Sequence, residues 1–130
     1  KQGAIRSPLR MDAEGFCRFN TSIEENSIVH LMVGSQEACL EAARSAVQAA
    51  LGQIGEANPI FALILIDRAW DYLMKDVFDS VMEDIHKMIG KDVSICGGLT
   101  VGQIASNPPS GAVQYLHQCI EVIILAEELE

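Results

Sequence analysis

A chain of 130 residues, 49% of them hydrophobic, is the size of one domain with one real core. Nine basic side chains against eighteen acidic ones leave a formal charge of -9, and the few Lys and Arg are scattered, so no basic surface exists for nucleic acid or an anionic membrane. No apolar run approaches the length of about eighteen residues that a spanning helix needs, and no apolar block follows a basic start, so a cytoplasmic protein is expected.

The first 27 residues carry little helical periodicity, with one short alternation from Phe16 to Thr21 that predicts a strand. SIVHLMVG, residues 27–34, then fills both faces with aliphatic residues, the pattern of a strand covered on both sides, with His30 on the face of Ile28 and Met32. Ser35 before Gln36 and Glu37 is an N-cap, and Leu40, Ala43, Val47, Ala50, Leu51 and Ile54 recur at helical spacing until Gly55 closes the run. PIFALILID, from Pro59, is an apolar run of strand length, expected to be a central strand covered on both faces, with Asp67 and Arg68 at its carboxyl end.

Residues 69–76 are open between loop and helix. Val77, Phe78, Val81, Ile85, Met88 and Ile89 mark a second helix, capped by Gly90. The strand VSIC follows, then Gly97, Gly98 and Gly102 with a possible short strand from Leu99 to Ile104, the Pro108-Pro109 loop, and the final strand CIEVIILAE. The fold class expected is α/β of the α+β-like kind: a two-layer domain in which two main helices pack on a mixed sheet, in the order β-β-α-β-α-β-β, with the last two strands a hairpin. Residues 1–130 form one domain.

Cys17, Cys39, Cys96 and Cys119 are far apart, with no Cys-x-x-Cys pair and no matching His spacing. This opposes a zinc site and a disulfide framework and suggests reduced, buried thiols; neither metal nor cofactor is expected.

SPLRMDAEGFCRF, the alanine-rich helix, FALILID before a turn, GGLTVGQI and YLHQCIEVIILAE occur in an order and spacing that resembles the C-terminal domain of the FIST family. The resemblance implies a sensory, signal-transduction domain with amino acids or their derivatives as ligands, and a partner domain before it. Against the family pattern, Asp67 stands at about the position of a cysteine, Trp70 near that of an arginine, Gln103 where Glu is usual and Gln118 where Asn is usual.

The candidate ligand-binding residues are Asp67, Arg68, Trp70, Gly97, Gly98, Gly102, Gln103 and His117. Asp67 and Arg68 lie just past the carboxyl end of a central strand, where ligands commonly bind in open α/β sheets, and glycines admit a ligand close to backbone N–H groups. Gln103 and His117 offer donors and acceptors to a small polar molecule, and Trp70 an apolar wall. Each also has a purely structural explanation: a bulge for the glycines, a cap for Asp67, a backbone bond for His117. No Gly-Lys-Ser/Thr follows the glycines, which excludes a nucleotide loop.

Three functions remain open on these grounds. A non-catalytic sensor of a small molecule, read out by a protein partner or a homo-oligomer, is preferred. The others are a small cysteine- or carboxylate-dependent hydrolase or transferase using Cys96 or Asp67 with His117, and a self-assembling module without a ligand.

Overall fold

The computed structural model describes residues 5–106, 111 and 113–128. It has the two-layer α+β architecture, built on a mixed three-stranded sheet. The central strand β3 (Asn58–Asp67) pairs in parallel with β4 (Ser94–Thr100) and antiparallel with β7 (Ile120–Glu127). Two short hairpins stand apart from it: β1 (Pro8–Met11) with β2 (Cys17–Phe19), and β5 (Gln103–Ser106) with β6 (Val113–Leu116).

Helix α1 (Gln36–Ile54) forms as the periodicity predicts. The Ser35 hydroxyl accepts the Ala38 N–H at 3.1 Å, satisfying one orphan donor of the first turn, and Gly55 leaves the helix at φ 61°. The ambiguous stretch after β3 is helical: α2 (Ala69–Met74) runs through one 3-10 turn into α3 (Phe78–Ile89). Cys39, Ala43 and Val47 of α1 and Val81, Ile85 and Ile89 of α3 are buried with Ala62, Ile64 and Ile66, alternate residues in the second half of β3. Helix α1 lies over β7 and α3 lies beside it. Burial of each Val and Ile side chain among them contributes about 1.5–3 kcal/mol, which makes this layer the principal source of stability.

Three expectations change. PIFALILID is central but covered on one face only: Phe61, Leu63 and Leu65 are half-buried, and Ile123 and Leu125, opposite Leu63 and Phe61, are exposed. The closing segment does not fold back on β4, because β7 takes the other edge of β3 and the hairpin is β5 with β6. Residues 27–34 pair with no strand, and His30 is exposed with its neighbours. The Pro108-Pro109 loop lies outside the described residues.

Among the described residues no helix is long and apolar enough to cross a membrane, and no group of three or more His, Cys, Asp or Glu is placed to hold a metal ion. The cysteines are free, with Cys39 buried and Cys119 half-buried, but Cys17 and Cys96 are exposed, contrary to the expectation of four buried thiols. Cys96 sits opposite Leu63 on the uncovered face of the sheet.

Candidate functional site

The fold brings three polar side chains together near the carboxyl end of β3 and buries them: Asp67, Gln103 and His117, each no more than 6% exposed. A polar group in such a place requires partners, and the chain supplies most of them. Asp67 Oδ1 accepts the Ala69 N–H at 2.9 Å, capping the turn into α2, and Oδ2 accepts the Gln118 N–H at 2.9 Å. The backbone of β3 ends symmetrically. The Asp67 N–H goes to the Cys119 carbonyl at 3.0 Å, and the Arg68 N–H to the Thr100 carbonyl at 2.8 Å.

His117 stands between two further segments. Its Nδ1 is 4.0 Å from Asp67 Oδ2, and its ring edge meets Asn20 Nδ2 at 2.9 Å from Nδ1 and 2.7 Å from Nε2. A proton on Nδ1, facing the carboxylate, leaves Nε2 as the acceptor for the Asn20 amide. The Tyr115 ring packs edge-on at 4.3 Å between centroids, and its hydroxyl donates to the Val101 carbonyl at 3.1 Å. The Gln103 carbonyl oxygen takes the Cys119 thiol.

The remaining sequence-derived candidates fall into separate places. The Trp70 indole N–H donates to the Gln118 carbonyl at 3.1 Å and so braces the turn behind His117. The Arg68 side chain is exposed, its guanidinium 5.9 Å from the centre of the Tyr72 ring. Gly102 turns β4 into β5 at φ 79° directly beneath Tyr115, where a Cβ would strike the ring. Gly97 and Gly98 are paired residues inside β4, opposite Ile64 and Leu65, rather than a bend at its end. Gly97 faces the helical layer, away from the cluster, and a Cβ on it would collide with the Ile64 carbonyl. Gly98 shares the face of Asp67, two positions down the ladder.

Among the described residues, four buried polar atoms around this cluster and along β7 have no partner: Asn20 Oδ1, Thr21 Oγ1, Gln103 Nε2 and Glu121 Oε1. Asn20 and Thr21 come from a segment without a motif, and only their place at the end of the Phe16–Thr21 alternation hints at them. Glu121 is signalled more strongly, as the lone charge in an apolar strand. Burial pushes its carboxyl above the usual glutamate value.

Two concave places adjoin the sheet. A cavity of about 280 Å³ is lined by Gly34, Ala69, Tyr72, Leu73 and Gln118, on the outer side of the turn that holds His117. An apolar groove of about 250 Å³ runs between α3 and the edge of β4, past Phe78, Met82, Ile95 and Leu99. Only the first has a polar residue tied to the cluster.

Two of the thiols, Cys119 and Cys39, are poorly suited to nucleophilic work. Desolvation, then the charges of Glu121 and Asp67, push Cys119 up to about 11, and burial also raises Cys39. Cys96, opposite Leu63, is four ladder positions from Asp67.

The family model described as the FIST C domain matches residues 1–106, from the first hairpin to the end of β5 and short of His117 and β7. No curated protein and no solved structure matches the chain. With most of its length covered by that match, the chain belongs to the FIST C domain family, a family of sensory, signal-transduction domains.

Proposed function

We propose that residues 1–130 act as one sensory domain without chemistry of its own, binding a small polar molecule of the amino-acid class at Asp67, Gln103 and His117, with Asn20 and Thr21 completing the site. The observation that carries this is the set of orphaned atoms, above all the amide nitrogen of Gln103 on a side chain 5% exposed. An unmet buried donor or acceptor costs about 1–3 kcal/mol, and a ligand that meets it recovers that cost. The orphans comprise an amide donor, an amide acceptor, a hydroxyl and a carboxyl oxygen, which together suit a ligand bearing both N–H donors and carbonyl or carboxylate acceptors.

These atoms are sealed from solvent, so binding requires the cover to part. The cover consists of the Asn20-Thr21 segment and the β5–β6 hairpin, and their displacement is the signal a protein partner reads. Gly102 and Trp70 hold the cover and the turn in position. Catalysis by Cys119 is opposed by its raised pKa, since the thiol stays protonated at neutral pH.

Thermal shift against a panel of amino acids and small metabolites tests the proposal. A ligand at a hundred times its Kd should stabilise the domain by about 2.7 kcal/mol, a rise of several degrees in Tm, and Gln103→Ala should abolish the rise. A flat panel, or a rise that survives Gln103→Ala, refutes it.

A further inference from the structure

Five apolar side chains between the first hairpin and α1 are turned to water: Ile28 is 88% exposed, Val29 69%, Leu31 99%, Met32 73% and Val33 89%. Isolated exposed aliphatics are ordinary, but five in six consecutive residues with β-branched character have the pattern of a strand without a neighbour. Among the described residues, the outer edge of β7 is likewise without a neighbour, since β7 pairs only with β3.

Handedness connects the two. The crossover from β3 through α2 and α3 places β4 on one side of β3, in parallel, and β7 occupies the other side. A right-handed crossover through α1 into β3 requires its first strand to lie on the side of β3 opposite β4, which means beyond β7. Helix α1 already lies over β7, midway along such a crossover, with Val122 and Ile124 against the core beneath it. A strand there runs parallel to β3 and antiparallel to β7, with Ile28 toward Glu127 and Val33 toward Ile120.

Both ends of the segment fit that place. Gly34 lines a cavity with Leu73 and Gln118, beside the start of β7, so the carboxyl end is already in position. Asn20 is tied to His117 at the same end, so the chain must first descend the sheet. The eight residues from Asn20 to Ile28 can span about 26 Å, more than the roughly 20 Å of a six-residue strand.

We infer that residues 28–33 form a detachable fourth strand of the sheet, whose docking place is the outer edge of β7 in the same chain. Release, the arrangement seen here, exposes an apolar strand and an open sheet edge together, the two halves of a strand-addition interface; docking conceals both. The chain's own edge is favoured over a second copy's, because the tether fixes a high local concentration and the charge of -9 repels a like molecule.

Hydrogen exchange of the unliganded protein, compared with Leu31→Pro, tests this independently of any ligand. Protection of residues 28–33 by at least about tenfold, the value for nine-tenths docking, is expected at all protein concentrations. The variant should lose it and speed exchange in residues 120–127, with α1 and β3 unchanged as a control on folding. Unprotected amides in the native protein, with β7 indifferent to Leu31→Pro, overturn the inference. Protection that grows with protein concentration also overturns it, by assigning the edge to a second copy.

Discussion

Asp67 holds Gln118 across 51 positions of chain: one carboxylate oxygen accepts the Gln118 N–H at 2.9 Å while the other caps the turn into α2. The grip has a conformational purpose. Gln118 adopts φ 53°, a left-handed backbone that a residue with a Cβ adopts only when its surroundings compel it. The bond that compels it also presents His117 inward.

Asp67→Asn tests that grip. An amide offers one acceptor where the carboxylate offers two, so an N–H of Ala69 or Gln118 must face an NH2 group. Urea denaturation should show a loss of about 1–3 kcal/mol. No change in midpoint would mean that the turn is held by other contacts.

The raised carboxyl of Glu121 gives a pH dependence of defined sign. A group whose folded value lies above its unfolded one binds its proton more tightly in the native state, so its contribution favours folding at low pH and fades as pH climbs past the ordinary value of 4.5. Glu121→Gln, which is neutral throughout, should remove this decline and leave the variant more stable than the parent at pH 7. Equal slopes of stability against pH from 4 to 7 in the two proteins would contradict this assignment.

Thiol labelling separates the cysteines. At pH 7.5, iodoacetamide should modify exposed Cys17 and Cys96 at least about tenfold faster than Cys119, whose thiol is pushed up to about 11 and half-buried. Peptide mapping of the labelled sites gives the order. A Cys119 that reacts first would contradict this order and the burial assigned to its thiol.

Gly97→Ala should cost about 1–3 kcal/mol, because the added methyl meets the Ile64 carbonyl inside the ladder between β3 and β4. Gly98→Ala, with open space around it, should cost far less. Thermal melts of the pair give the comparison directly.

What the sequence revealed followed from local rules. Helix α1 was legible because Ser35, the spacing of Ala43 and Val47, and Gly55 act within one element. The strand-like pattern of residues 27–34 was legible too, but pairing is not a local property, and the pattern carries no record of which edge is free. Asp67, Gln103 and His117 stood out as polar residues bordering apolar runs. Asn20 and Thr21 did not, since their importance comes from the residues opposite them. The close packing at Gly97 was not legible for the same reason: its neighbour Ile64 is 33 positions away, and the tight fit exists only once the ladder has formed.

The contacts around His117 also set a timetable for biosynthesis. Asn20 reaches His117 over 97 positions, Arg6 reaches Tyr115 over 109, and the Gln118 side chain reaches Ser7 over 111. On the ribosome, α1, β3, α3 and β4 can emerge and begin to pack while β3 still lacks its β7 neighbour, and an unpaired central strand is an aggregation hazard. Only once residues 115–118 have left the exit tunnel can Arg6, Ser7 and Asn20 find these partners, so the cluster around His117 is completed after the helices and β4.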